Sequence, residues 1–371
     1  MKKEMFVLAV LATLAACSKT EVTPVASNVN SEITFNVAPR TKALSQTQTD
    51  FDHNNVFVSY AYYLGHGKTW AANNSEAQMY IDGSTISYNG NLWKNETTSY
   101  YWPKDGGSLT FFAYSYNKKD MTVGDNSGFA CVWKPGEDGQ YQGGINGHFD
   151  VATNKNVDFL VADIAADKTE NKNNYAHTGV PTLFRHRLSM VNVAANLAED
   201  YANKKFILNS VKFTKLCHYA TYSQIPEKMT PGGNMFLSDQ VYAENVGFEV
   251  KSGGSIAVPA EIKGGAGVED GQYIYIPQEF NDNSYIVITY TVETAVGNKV
   301  VKEECTKQVK VKDVFPKWEM GHRYTFNLTF SLNEIHWDPA VENWTDDEAG
   351  NITIDRQQES RAFPRHKPAG R

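Results

Sequence analysis

Short runs of alternating apolar and polar residues recur along most of this chain. They predict strands at residues 32–38, 56–64, 85–88, 100–102, 109–116, 157–162, 183–197, 206–214, 271–276, 285–294, 307–312 and 324–332. A period of two places successive side chains on opposite faces of a strand, so each run is typical of a half-buried β-strand. Turn-forming residues separate the runs, and the polar composition of residues 163–178 predicts an exposed loop. Long helical periodicity is nearly absent, apart from a short turn of helix predicted at residues 196–205. This pattern favours β-sandwiches.

The first run is followed by a basic loop. Ile33, Phe35 and Val37 share one face of the predicted strand, and Pro39 ends it because proline has no N–H to donate to a ladder. Arg40-Thr41-Lys42 then opens a polar segment that extends to about residue 55. An exposed basic residue in such a loop, here Arg40 or Lys42, is a candidate proteolytic processing site.

The N-terminus has the pattern of a lipoprotein signal. A basic start and an apolar run of secretory length, together residues 1–16, end in Leu14-Ala15-Ala16-Cys17, which resembles the bacterial lipobox. We expect residues 1–16 to be a signal peptide and Cys17 to carry the lipid, so that the acyl chains anchor the protein in the outer membrane. An ordinary signal peptide with a chance cysteine is the alternative. Residues 17–31 are polar and aperiodic, as in a tether.

The remaining residues, about 340, suffice for two domains of typical size. We predict two β-sandwiches, residues 32–179 and 180–355, followed by a basic tail at 356–371 that we expect to be disordered. The chain has a formal net charge of −7. Because the tail is basic, the residues before it carry a larger negative charge than the whole chain. An acidic body is a poor ligand for a phosphate backbone, so nucleic acid is not an expected partner.

Residues that carry chemistry form no specific constellation. The chain has neither a P-loop nor a GxSxG elbow, and His186 is best explained as a structural histidine on a strand. The acidic cluster Asp346-Asp347-Glu348 lacks the ligand pattern of an EF-hand. The four cysteines, Cys17, Cys131, Cys217 and Cys305, have no metal-ligand spacing; the last three are interpreted as buried apolar residues, with an internal disulfide left open. We therefore predict a protein that is not an enzyme and has no metal or cofactor.

Several stretches, in this order, resemble the fimbrillin family, the lipoprotein pilins of type V pili in Gram-negative anaerobes. They are Ile33-Thr34-Phe35 with Arg40-Thr41-Lys42-Ala43, Leu109-Thr110-Phe111-Phe112-Ala113-Tyr114, Leu183-Phe184-Arg185-His186-Arg187-Leu188-Ser189-Met190-Val191, Tyr275-Ile276-Pro277-Gln278, Gly321-His322-Arg323-Tyr324-Thr325-Phe326-Asn327-Leu328 and Trp344. The resemblance covers roughly residues 17–354.

The resemblance implies two tandem transthyretin-like Greek-key β-sandwiches and lipid-borne export to the cell surface. It implies that an arginine-specific protease cuts after the first strand at Arg40, and that a strand of another pilin subunit then fills the groove. Ile33, Phe35 and Val37 would plug that groove beforehand. An open sheet edge beside a vacant apolar face is strongly driven to accept a complementary strand.

Two questions stay open at the level of sequence. The C-terminal segment from Ile335 to Ile354, the candidate donor strand, is interrupted by Pro339 and Asp346-Asp347, so the sequence does not decide whether the chain is a shaft, tip or anchor subunit. The competing hypothesis is a monomeric surface lipoprotein that binds glycans or a host protein through loop aromatics such as Trp70, Trp93 and Trp133.

Overall fold

Strands make up most of the structure. The computed structural model describes residues 31–37, 51–121, 128–135, 141–151, 157–224, 234–242, 249–256, 272–332 and 335–343. The strands of these residues, in chain order, are β1 (Phe35–Val37), β2 (Phe57–Leu64), β3 (Gln78–Tyr88), β4 (Trp93–Lys94), β5 (Ser108–Ser115), β6 (Ala130–Pro135), β7 (Tyr141–Asp150), β8 (Leu160–Ala162), β9 (Ala165–Lys168), β10 (Val180–Thr182), β11 (Phe184–His186), β12 (Ser189–Leu197), β13 (Lys204–Thr214), β14 (Cys217–Gln224), β15 (Asn234–Tyr242), β16 (Glu249–Ile256), β17 (Gln272–Tyr275), β18 (Gln278–Glu279), β19 (Tyr285–Val296), β20 (Lys299–Lys310), β21 (Lys317–Trp318), β22 (His322–Phe330) and β23 (Ile335–Asn343). The prediction of an all-β chain is confirmed.

Helices are short and peripheral to these sheets. Within the described ranges they are α1 (Trp70–Asn73), α2 (Tyr175–Thr178) and α3 (Val311–Val314), with 3₁₀ turns at Asn74–Glu76 and Lys172–Asn174. In this part of the chain, no helix has the length and apolar character needed to cross a bilayer.

The first sheet curls around its own apolar core. Its strand order is β10-β1-β4-β3-β2-β5-β8-β11, with β9 paired to β5. The two end strands, β10 and β11, are consecutive in the chain and separated by Leu183 alone. The sheet therefore folds back until its ends meet, and the enclosed core includes Phe57, Phe111 and Phe184.

Strands β2 and β5 are buried on both faces. Phe57 and Ala61 of β2 face the core of the first sheet, whereas Val58, Tyr60 and Tyr62 belong to a second, larger core. The predicted alternation thus separates two apolar environments rather than core from solvent. This explains why the aromatic content of these strands is so high.

The second core is completed by strands from both halves of the chain. A sheet of order β15-β14-β7-β6 combines strands from either side of residue 180, and Tyr222 of β14 meets Phe159 edge-on at 5.2 Å between ring centroids. The predicted domain boundary near residue 180, and the tandem Greek-key arrangement, stay predictions.

The C-terminal sandwich consists of two sheets, β17-β12-β22-β23 and β16-β13-β19-β20. Their facing residues pack through aromatic contacts, such as Phe213 against Phe326 at 4.9 Å and Tyr290 against Phe330 at 5.1 Å between centroids. A separate two-stranded sheet joins β18 to β21.

Four details of the sequence interpretation need correction. Residues 183–197, predicted as one strand, form β11 and β12 in two different sheets. Residues 163–178, predicted as an exposed loop, contain β9 and α2, and residues 196–205 form no turn of helix. Pro339 does not interrupt the strand at residues 335–343, because it pairs with Phe326 inside β23, whereas Asp346-Asp347 lie outside the described residues. That strand lies at a sheet edge, where a missing N–H donor is tolerated.

Candidate functional site: the slot of the first strand

The first strand lies between two backbone edges. The N–H of Ile33 donates to the carbonyl of Tyr100 at 2.7 Å, and the N–H of Trp102 donates to the carbonyl of Ser31 at 3.1 Å. On the other side, the N–H of Val180 donates to the carbonyl of Thr34 at 2.7 Å. Residues 31–37 are therefore antiparallel to one neighbour and parallel to β10 on the other side. We call the space that they occupy the slot.

Side chains of the first strand fill an apolar cavity in the first sheet. Ile33 is 3% exposed and Phe35 is 5% exposed, whereas Asn36 is exposed. The Phe35 ring meets Phe57 edge-on at 5.5 Å and Phe111 edge-on at 5.7 Å between centroids. Val37 is half-buried and packs on the same core. The alternation of the sequence thus places the three predicted plug side chains on the core.

Aromatic rings form the base of the slot. Phe51 stacks on Phe184 at 4.8 Å, and Phe57 meets Phe184 edge-on at 5.3 Å between centroids. Trp93 of β4 lies against Phe51 at 5.4 Å. If the first strand left, Phe57 and Phe111 would lose the Phe35 ring that packs on them, which is unfavourable in water.

Charged and polar groups close one end of the slot. Lys94 Nζ donates to both carboxylate oxygens of Glu32, at 3.0 Å and 3.2 Å, and Ser99 Oγ donates to Glu32 Oε1 at 2.8 Å. Burial of Glu32 raises its pKa, but the hydrogen bonds from Ser99 and Lys94 and the Lys94 charge outweigh it, and the pKa lies below its ordinary value. Glu32 is therefore ionised at neutral pH.

Gly179 permits the close approach of β10 to the first strand. Its φ is +77°, and a Cβ at this position would lie 2.7 Å from the carbonyl carbon of Phe35 and 2.9 Å from the nitrogen of Asn36. Both of these atoms belong to backbone and cannot rotate away. The position thus requires glycine for conformation and for space.

The other predicted site residues lie elsewhere. Cys17, Arg40 and Lys42 are outside the described residues. Trp70 and Trp93 are buried, at 6% and 4% exposure, so the hypothesis that they offer open faces to a sugar is wrong. Trp133 is half-buried against Trp70 at 4.5 Å between centroids. The alternative of a glycan site on these loop aromatics loses its main support.

Other polar side chains near the slot are tied into the fold. His186 Nδ1 lies 2.9 Å from Asp158 Oδ2, in agreement with a structural histidine. Arg185 donates two hydrogen bonds to Asp163, at 2.7 Å and 2.6 Å. Among the described residues, Cys131, Cys217 and Cys305 form no disulfide. Sequence reasoning missed Lys94, Ser99 and Gly179, because only the fold brings them to the first strand.

Comparisons with known proteins agree with this architecture. The family described as Fimbrillin-like matches residues 41–344, most of the chain. The chain belongs to this family. The curated fimbrium subunit Fim1C of Phocaeicola vulgatus is 23% identical over 396 residues, which span 96% of this chain and 99% of that protein.

A solved structure supports the fold of this fimbrillin-like chain. The crystal structure of a fimbrial protein from Bacteroides vulgatus has a TM-score of 0.57 and 18% identity, covering 85% of this chain and 99% of that one. At this identity the likeness concerns the fold alone. The fimbrillin resemblance of the sequence motifs is confirmed by the family match.

Proposed function

We propose that this fimbrillin-like chain is a structural subunit of cell-surface fimbriae and assembles by exchanging its first strand for a strand of another subunit. The observation that carries the proposal is the slot, in which a short strand is held between two edges over an aromatic base. The family match begins at residue 41, so this buried strand lies outside the matched range. A separable first strand is consistent with that boundary.

The energetics favour replacement over simple loss. Burial of Ile33 and Phe35 contributes about 3–6 kcal/mol together, at about 1.5–3 kcal/mol for each large apolar side chain. Loss of the strand also opens hydrogen-bonding edges on β10 and on residues 100–102. A vacant slot would therefore accept another strand with apolar residues at alternate positions.

Export and processing complete the proposal. Lipidation at Cys17 would hold the precursor in the outer membrane, and cleavage at Arg40, or at Lys42, would free the first strand. Since β1 ends at Val37, the chain after it leads directly to the proposed cut. Metabolic labelling with a radioactive fatty acid tests the anchor: the wild type should take up label, and Cys17→Ser should not. Equal labelling of the two would contradict lipidation at this residue.

The proposed partners are other pilin subunits. Among the described strands, β23 lies at a sheet edge and continues through Pro339, so residues 335–343 form strand despite the proline. This observation supports a role in polymers without selecting among shaft, tip and anchor positions. The fimbrial name of the curated relative supports the same class of function.

Limited proteolysis of the full-length protein tests the assembly. Trypsin or an arginine-specific protease should cut at Arg40 and produce ladders that resist SDS without heating. Arg40→Ala should remain uncut by the arginine-specific protease and stay monomeric. Trypsin also cuts after lysine, so the matched control for trypsin is the double variant Arg40→Ala with Lys42→Ala, and the two controls together locate the site. Cleavage at this loop that yields neither release of residues 31–37 nor ladders would overturn strand exchange.

A further inference from the structure

The ion pair at the end of the slot joins the first strand, which the proposed exchange removes, to β4, which stays in the sheet. Glu32 belongs to the first strand, whereas Lys94 belongs to β4 and Ser99 to the segment beside it. Both charged side chains are 28% exposed, so neither is fully hydrated. Within the described residues, Glu32 is the one carboxylate in ion-pair distance of Lys94. Departure of the first strand leaves the Lys94 ammonium and the Ser99 hydroxyl without this acceptor.

The apolar pattern alone leaves the register of an incoming strand underdetermined. A slip by one residue would turn the apolar side chains away from the core, so alternation excludes it. A slip by two residues keeps the apolar side chains on the core and moves every group by about 7 Å. That shift is large enough to break a contact of 3.0 Å such as the one between Glu32 and Lys94. A charged group at the end of the slot can therefore distinguish registers that hydrophobicity cannot.

We propose that Lys94, assisted by Ser99, is a specificity-determining residue of the slot: it selects a strand from another subunit that carries a carboxylate immediately before its first buried apolar side chain. Glu32 before Ile33 is the internal example of this order. A lysine or arginine in that position is rejected by like-charge repulsion in a partly dehydrated site. This inference rests on the proposed strand exchange and adds a rule for partner choice and register.

Peptide exchange into the cleaved full-length protein tests the rule. The probes are dye-labelled peptides of residues 29–37 with the wild-type sequence, with Glu32→Gln and with Glu32→Lys, and fluorescence anisotropy reports their uptake. Against wild-type protein, we expect the Gln peptide to bind about two- to threefold more weakly and the Lys peptide about tenfold more weakly. Because the interaction is between charges, 1 M salt should reduce these differences.

Protein variants separate the role of Lys94 from a general effect of charge. Lys94→Glu should prefer the Lys peptide, and Lys94→Gln should bind the three peptides alike. Lys68, which pairs with Glu76 on the surface, supplies the matched control: Lys68→Glu should keep the wild-type order of preference. The Gln variant retains the test if the charge reversal prevents folding.

Failure of this inference is distinguishable from failure of the proposed function. If the cleaved wild-type protein takes up no wild-type peptide, strand exchange itself is wrong. If the wild-type peptide binds and the charge variants bind equally well, strand exchange stands and the selection by Lys94 is overturned. Loss of the preference in Lys68→Glu would also contradict the assignment to Lys94.

Discussion

The first strand and the β19–β20 hairpin are stabilised in opposite ways. β1 is three residues long, and its neighbours in the sheet come from distant parts of the chain. β19 and β20 are twelve residues each, pair along their whole length and are joined by a short turn at Gly297. Yet Ile33 and Phe35 of the first strand are buried, while Val300 and Val301 near the turn of the hairpin are 59% and 56% exposed.

This comparison separates backbone attachment from side-chain burial. The turn end of the hairpin is held by a continuous ladder and a local turn with little apolar cover, although Ile286 and Ile288 at the other end of β19 are buried in the sandwich. The first strand is held chiefly by the apolar side chains that it inserts into the slot. A strand held by inserted side chains, such as the first strand, is replaceable by another strand with equivalent side chains. A hairpin whose two strands are joined by a turn is not.

Truncation of the central plug side chain should have the largest effect. Phe35→Ala is expected to lower the free energy of unfolding by about 3–5 kcal/mol, since it removes a ring buried against Phe57 and Phe111. Val300→Ala in the hairpin should change it by no more than about 0.5 kcal/mol. Urea denaturation measures both values. Similar values for the two variants would refute the distinction between a strand held by buried side chains and a hairpin held by backbone hydrogen bonds.

A glycine pair tests the same contrast at the level of backbone. Gly179 and Gly297 both have positive φ, +77° and +60°, but only Gly179 has atoms of the first strand within reach of an added Cβ. Gly297→Ala should cost about 1 kcal/mol from left-handed strain alone. Gly179→Ala should cost about 2–3 kcal/mol, because the clash with Phe35 adds to that strain.

Hydrogen exchange provides the second readout for this pair. Gly179→Ala should speed exchange of the Ile33 and Val180 amides, and Gly297→Ala should leave both unchanged. Equal costs and equal exchange rates in the two variants would show that β10 does not constrain the first strand.

The smallest expected effect concerns charge. Glu32→Gln should lower stability at pH 7 by about 0.5–1 kcal/mol, the range of a partly exposed ion pair. The pKa of Glu32 is lowered in the folded protein, so its contribution is present above the unfolded-state pKa and is lost as pH falls through the lowered folded-state value. The difference between wild type and variant should therefore disappear in acid, as thermal melts across pH would show.

Glu293 of the hairpin offers the control for this charge effect. It pairs with Lys302 at 2.6 Å, and its pKa is also lowered, first by the hydrogen bond from Lys302. The Lys302 side chain is 66% exposed, whereas Lys94 is 28% exposed, so Glu293→Gln should change stability less than Glu32→Gln. A larger effect at Glu293 would contradict the importance of the partly buried position of Lys94.

Local patterns were sufficient to predict many of the strands. The runs at 56–64 and 109–116 correspond to β2 and β5, because alternation over eight residues is hard to satisfy in any other conformation. The run at 183–197 was misassigned as one strand. Its alternation continues from β11 into β12, but the chain changes sheets between His186 and Ser189. Periodicity predicts which side chains are buried but does not predict which of the two cores they join.

Some residues of the candidate site were predictable from local sequence, and others were not. Ile33, Phe35 and Val37 were predictable as core side chains from their spacing alone. Lys94 and Gly179 carried no such signal, since a lone lysine and a glycine before a strand are common in any β-protein. Lys94 acts through its 3.0 Å contact with Glu32, and Gly179 through the space that it leaves, because a Cβ there would lie 2.7 Å from the Phe35 backbone.

For this chain, the sequence by itself determined the strand content, the apolar face of the first strand and the family resemblance, because these depend on local spacing and residue order. Tertiary structure alone decided that β1 lies between β10 and residues 93–102, that Lys94 meets Glu32, and that β2 and β5 separate two cores. Strand pairing is a non-local choice, made by the complementarity of surfaces that come together only after the chain has folded.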